Sequence, residues 1–257
     1  MKINPRQWFF KGAMALLMLC VSAFQLKKDR KVNIVFIGDS ITAGSNNVTE
    51  QPSNYALIYL KSKLGTDSIK QANEGVSGKT TVDFLPKETG FKSVIRAADN
   101  FYDDIDAQLF FSIMLGTNDS AMEGPNGAPV SPGNYRLNLE TIINELIKKY
   151  PNCKVVINYP LWYSTNTYNS AKYLAEGLAR LKTYSPEIKK LVKAYGVTQP
   201  GHIFTGDRSG FAYFEKNHLA AMKHEEGREG TFYLHPNEQG AAALGKLWGI
   251  AIYNVLK

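Results

Sequence analysis

Cysteine is nearly absent from this chain of 257 residues, which holds only Cys20 and Cys153. Cys20 falls in an N-terminal segment that reads as removable, so the remainder carries Cys153 alone. That excludes an intrachain disulfide and any cysteine-based metal site. Histidine is almost as sparse, at four residues. His202, His218 and His224 sit in no recognisable motif, and no cysteine pair is present to complete a zinc set with them. No metal is therefore expected. A dominant charge is also missing: the net charge is +7, with no basic stripe interleaved with aromatic residues, so a nucleic-acid partner is not expected. Internal repeats and low-complexity tracts are lacking. The apolar stretch at residues 12–24, GAMALLMLCVSAF, falls short of the roughly 20 residues that cross a bilayer.

That stretch has another meaning. Lys2, Arg6 and Lys11 precede it, and Val21-Ser22-Ala23 closes it with small residues. A basic region, a short apolar region and a small-residue site make a secretory signal, cut after Ala23. The expected organisation is a signal peptide over 1–23, a linker over 24–31 and one domain over 32–257. Export to the periplasm or outside the cell follows, with no stable membrane insertion after cleavage. Lipid anchoring through Cys20 is the weaker alternative, because Leu19 is larger than a lipoprotein signal prefers there. Loss of the segment's three cations leaves +4 of the +7, so the basic balance is partly a targeting effect.

Along the rest of the chain, apolar β-branched runs alternate with helical patterns. Strands are predicted at 31–37 (KVNIVFI), 68–73, 108–115 (QLFFSIML), 153–158 (CKVVIN) and 202–205. Helices are predicted after Pro52 up to Gly65, over 92–102, 134–150, 169–183, 186–195 and 239–256. Alternation of this kind gives an α/β fold: a central parallel sheet of about five strands, covered on both faces in a three-layer α/β/α sandwich. Ligands of such sheets bind beyond the carboxyl ends of the strands.

Glycine and polar residues gather at those ends. The segment 73–80, NEGVSGKT, finishes like a phosphate-binding P-loop. That loop needs its first glycine five residues before the second. Counting back from Gly78 gives Asn73, and no strand end supplies a magnesium-binding acid. A P-loop is excluded, so the glycine turn serves other chemistry. Gly38-Asp39-Ser40 closes the first strand, Asn73-x-Gly75-x-Ser77-Gly78 the second, Gly116-Thr117-Asn118-Asp119 the third, and His235-Pro236-Asn237 comes late.

These four blocks, in this order, resemble the SGNH, or GDSL, hydrolase superfamily from about Val32 to the C-terminus. The resemblance implies a flavodoxin-like serine esterase that needs no cofactor. Ser40 is then the nucleophile, and His235 the base that an otherwise weak nucleophile requires. The backbone N–H groups of Ser40 and Gly78 and the side-chain amide of Asn118 form the oxyanion hole. Asp39, Asn73 and Asp119 match positions that buttress the turns.

One family residue is missing. An aspartate normally stands three positions before the histidine, where this chain has Phe232. Three readings stay open: a Ser–His dyad with His235 oriented by a backbone carbonyl, which is favoured; a carboxylate from elsewhere, such as Glu226, Glu229 or Asp207; or a weakened or silent enzyme. For substrate, residues 161–169, LWYSTNTYN, offer Trp162, Tyr163 and Tyr168 among small polar groups, as a sugar platform would. Tyr159-Pro160-Leu161-Trp162 after the fourth strand looks like exported bacterial members that deacetylate glycans. An acylated small molecule or glycan is the expected substrate, and O-acetyl carbohydrate esters the expected class. A lipid or thioester esterase and a silent glycan-binding module are the alternatives.

Overall fold

The computed structural model describes residues 31–44 and 48–257; the proposed signal peptide and all but the last residue of the linker lie outside the described residues. Five strands form one sheet: β1 (Lys31–Gly38), β2 (Ile69–Gly75), β3 (Ala107–Met114), β4 (Lys154–Ile157) and β5 (Ile203–Thr205). Their order is β2-β1-β3-β4-β5 and every pairing is parallel. The α-helices among the described residues are α1 (Ser40–Ala43), α2 (Pro52–Leu64), α3 (Thr89–Tyr102), α4 (Pro132–Lys149), α5 (Leu174–Thr198), α6 (Gly210–Ala221) and α7 (Glu238–Leu256), with a 3-10 turn at Val82–Phe84. None of them is long and apolar enough to cross a membrane.

Strand alternation sorts the core into two halves. Val35 and Ile37 of β1, with Phe111 and Ile113 of β3, face Val94 of α3, Leu139 and Ile143 of α4 and Leu181 of α5. Their neighbours Ile34, Phe36 and Phe110 face Leu60 of α2, Phe214 of α6 and Trp248 of α7. Both faces of the central strands are buried, which is why they read as mainly apolar runs rather than as an alternating pattern, with Asn33 in β1 and Ser112 in β3 as buried polar exceptions. The result is the three-layer sandwich that the sequence predicts.

Helix limits follow local chemistry. Pro52 opens α2, and Gly65 ends it in a left-handed conformation at φ 65°. Ser131 caps α4 through its hydroxyl, which accepts from the N–H of Asn134, with Pro132 in the first turn. The sequence reading fails at α5, where two helices are predicted and one runs through Pro186. The apolar face continues across the proline, from Leu181 and Tyr184 to Ile188 and Leu191, all buried. Burial of that face outweighs the one backbone hydrogen bond that proline removes. Three features escape the sequence reading altogether: the short α1, α6, and a hairpin of β6 (Glu225–Gly227) with β7 (Gly230–Phe232). Strands of three residues are too short for any periodicity to register.

Register places the site. Gly38 pairs with Gly75 on one side and with Met114 on the other. Three neighbouring strands thus end at one level, at the point where the strand order reverses. Their loops leave side by side.

Candidate active site

Ser40 is the first residue of α1, immediately beyond the tip of β1. Asp39 before it is buried, and its carboxylate accepts from the N–H of Ile41 at 2.9 Å, which closes the turn. Burial pushes the Asp39 carboxyl up to about 6, although the Ile41 N–H and the charge of His235 pull the other way. Gly75 lets the end of β2 approach α1 closely, since a side chain there would run into the backbone of Ala43. Asn73 holds the same junction: its amide donates to the carbonyl of Thr42 at 2.8 Å, and its oxygen accepts from the N–H of Gly75 at 2.9 Å.

His235 arrives from the far end of the chain. Asn237 caps α7 by accepting from the N–H of Gly240 and ties the loop to the end of α6 through the carbonyl of Ala220 at 2.8 Å. Held in this way, the His235 Nε2 lies 2.9 Å from the Ser40 hydroxyl.

Behind the ring stands a carboxylate that sequence reasoning missed. The Glu225 oxygens lie 2.9 and 3.0 Å from His235 Nδ1, and one of them also accepts from the His235 backbone N–H at 3.1 Å. A backbone carbonyl does not orient the ring, as the favoured reading had it, and neither does Glu226, Glu229 or Asp207. Glu226 accepts from the Thr231 hydroxyl on the outer side of the hairpin. Glu229 sits at the hairpin tip, where its carbonyl accepts from Asn166. Asp207 accepts from the N–H groups of Ser209 and Gly210 at the start of α6.

The hairpin explains the substitution. Glu225 pairs directly with Phe232, the position where an aspartate was expected. Cross-strand partners share a face with side chains about 5 Å apart, so the carboxylate comes from the neighbouring strand while Phe232 fills the core, 1% exposed. The run Glu-Glu-Gly-Arg-Glu-Gly before Thr231 carried the signal: a two-residue turn between glycines with alternation outward from it puts Glu225 inward and Glu226 outward. Burial pushes the Glu225 carboxyl up, but the hydrogen bonds and charge of His235 outweigh it and leave the group below its usual range.

Asn118 and Gly78 complete the set. Asn118 is 4% exposed, and its amide nitrogen donates to the carbonyl of Lys79 at 2.9 Å. Gly78 has φ 77° with open space where a side chain would start, a backbone that other residues adopt only under strain. Asp119, next to Asn118, is fully buried and accepts from both the N–H, at 3.0 Å, and the hydroxyl of Thr81. It ties the loop after β3 to the glycine turn after β2. Burial pushes this carboxyl up to about 7 against the pull of the Thr81 donors. The Lys79 ammonium pairs with Asp83 at 2.9 Å.

Ser40, Gly78, Asn118 and His235 thus meet in one place. They line an open cleft of about 660 Å³, together with Glu225, Lys79, Asp83, Asn126, Asn169 and Ser170. The aromatic platform expected from residues 161–169 does not form. Tyr163 is fully buried and hydrogen-bonded to Ser120, Trp162 packs on His218, and Tyr168 carries Arg228. From that stretch only Asn169 reaches the cleft. The other three histidines lie away from it: His202 contacts the Cys153 carbonyl, His218 that of Glu215, and His224 approaches the Tyr233 hydroxyl at 3.4 Å.

The sequence profile of the GDSL-like lipase/acylhydrolase family matches residues 36–243. The chain belongs to that family. It is accordingly a carboxylic ester hydrolase. No curated protein sequence matches it. Among solved structures it resembles a carbohydrate acetylesterase from Sinorhizobium meliloti at 18% identity and TM-score 0.59, over 88% of this chain and 100% of that one. A lipase/acylhydrolase from Enterococcus faecalis has 19% identity and TM-score 0.55, over 87% and 96% of the two chains. A catalytic mutant of an acetylxylan esterase from Geobacillus stearothermophilus has 16% identity and TM-score 0.56, over 90% and 96%. At these identities the likeness is one of fold.

Proposed function

We propose that this GDSL hydrolase is exported and removes short acyl groups, acetyl foremost, from hydroxyls of carbohydrate substrates, with Ser40 as nucleophile. The observation that carries the reading is the chain Ser40–His235–Glu225, with contacts of 2.9 Å at each link. His235 Nε2 takes the Ser40 proton as the oxygen attacks the ester carbonyl, and Glu225 holds the opposite N–H and stabilises the imidazolium. Negative charge on the carbonyl oxygen meets the N–H groups of Ser40 and Gly78 and the free N–H of the Asn118 amide. Collapse expels the sugar oxygen, which takes the proton from His235 and leaves an acyl-serine. Water, deprotonated by His235, then attacks the acyl-serine, releasing the carboxylic acid and restoring Ser40.

The substrate class rests on the cleft and the relatives. Lys79, Asp83, Asn126, Asn169 and Ser170 give the cleft hydrogen-bonding walls, suited to a hydroxyl-rich alcohol rather than a long acyl chain. Two structural relatives are described as acting on carbohydrate or xylan acetyl esters. Export rests on the N-terminal sequence pattern alone.

The test compares the chain without residues 1–23 with its Ser40→Ala variant on 4-nitrophenyl acetate, 4-nitrophenyl octanoate and acetylated polysaccharides. Expected are acetate release from polysaccharide and a preference for the acetyl over the octanoyl ester, both lost in Ser40→Ala with the fold intact. Activity undiminished in Ser40→Ala would sink the mechanism. A preference for octanoate without release from any glycan would make the protein a lipid or thioester esterase.

A further inference from the structure

The Asn118 amide has a second partner that neither the family blocks nor the Ser–His–Glu chain includes. The Tyr173 hydroxyl lies 2.6 Å from Asn118 Oδ1. Atom identities here follow from the partners. The Lys79 carbonyl can only accept, so the amide end facing it, at 2.9 Å, is nitrogen. The other end is oxygen, and Tyr173 donates to it. Burial pushes the Tyr173 phenol upward, which keeps its proton in place. With one N–H on Lys79 and the oxygen on Tyr173, the amide plane is held from both ends. Its remaining N–H is thereby fixed in direction, on a residue that lines the cleft together with Tyr173.

Tyr173 is itself held. It is 3% exposed, and its ring meets the edge of Tyr163 at 5.3 Å. Its N–H and that of Leu174 both reach the carbonyl of Thr167, at 3.1 and 3.2 Å. Leu174 has φ 56°, the one positive value at a non-glycine among the described residues. Strain of that kind persists where surrounding contacts over-determine the backbone. Here it sits beside the residue that points a phenol at the site.

We infer that Tyr173 is a positioning residue for the oxyanion hole, orienting the Asn118 amide so that its free N–H is aimed before substrate arrives. The inference rests on the esterase reading above. Tyr173 touches no reacting atom; it acts through Asn118, and that dependence can be measured.

The experiment is a double-mutant cycle on 4-nitrophenyl acetate, with Ser40→Ala as the reference for enzymatic hydrolysis. Tyr173→Phe keeps the ring and removes the donor. It is expected to lower kcat about tenfold, a part of the roughly 10²–10³ that one oxyanion donor is worth, with KM within about twofold. In the Asn118→Ala background the same change should have no further effect on kcat. Equal losses in both backgrounds would mean that Tyr173 only supports the fold, and would overturn the inference, as would an unchanged kcat in the single variant. A second readout does not depend on turnover. The side-chain amide signals of Asn118, identified in nitrogen-15 spectra by their loss in Asn118→Ala, should shift and exchange faster in Tyr173→Phe. Unchanged signals would refute the lock even if the esterase reading holds. Ser40-independent hydrolysis together with shifted signals would keep the lock and remove its role in catalysis.

Discussion

Glu225 is the residue on which the proposed mechanism departs furthest from its sequence, and Glu225→Gln isolates what it does. The variant preserves shape and removes charge. Two unit charges about 3 Å apart at an effective dielectric of 20 attract by roughly 5 kcal/mol. Water and neighbouring dipoles recover part of that in a site where the His235 and Glu225 side chains are 14% and 21% exposed. About 3 kcal/mol then remains as lost stabilisation of the imidazolium, or on the order of 10²-fold in kcat. A glutamine amide also presents its nitrogen or its oxygen to Nδ1, so part of the population holds His235 in the unproductive tautomer and adds to the loss. The assay is kcat and KM for an acetyl ester, with urea denaturation alongside to show an intact fold. Glu225→Ala should fall at least as far, whereas Glu226→Gln, on the outer face of the hairpin, should stay near wild type. If Glu225→Gln keeps kcat within twofold of wild type, Glu225 does not serve the reaction, and a Ser–His dyad is restored as the working unit.

Two further outcomes concern stability. Phe232→Ala empties a fully buried site and is expected to cost about 3–5 kcal/mol in urea denaturation; a loss under 1 kcal/mol would show that this residue is not core. The raised carboxyls of Asp39, to about 6, and Asp119, to about 7, set a pH slope. Unfolded, both ionise near pH 4, so between about pH 4 and 7 the folded protein holds more protons, and stability falls as pH rises. Glu225 has the opposite sign: its folded value is lowered, so its contribution is present above about pH 4.5 and is lost as pH falls through that lowered value. Denaturation midpoints should therefore decline from pH 5 to pH 7.5, and Asp119→Asn should flatten the decline. A slope that Asp119→Asn leaves unchanged would show that this carboxyl ionises normally in the folded protein.

The sequence by itself determined the sheet and the meeting of the four blocks. The run 32–37 is apolar at every position but Asn33 because β1 lies inside the sheet and is covered on both faces, and that burial is what makes the strand legible. Parallel order then brings Ser40, Gly78 and Asn118 to one edge without further information. Legibility ended where local pattern ended. Tyr163 reads as a sugar platform in a chain of letters, yet it is buried because α5 and the loop after β3 close over it. Pro186 reads as a stop, yet the buried face of α5 continues past it. The acid of the site lay outside sequence reading because its position is a cross-strand fact: a three-residue strand brings Glu225 beside Phe232, and only the folded hairpin makes those two residues neighbours. The same holds for Tyr173 and Asn118, 55 residues apart, whose hydrogen bond exists only once two loops share a wall. Local burial writes itself into composition and period; a contact between distant loops depends on geometry that no window of sequence contains.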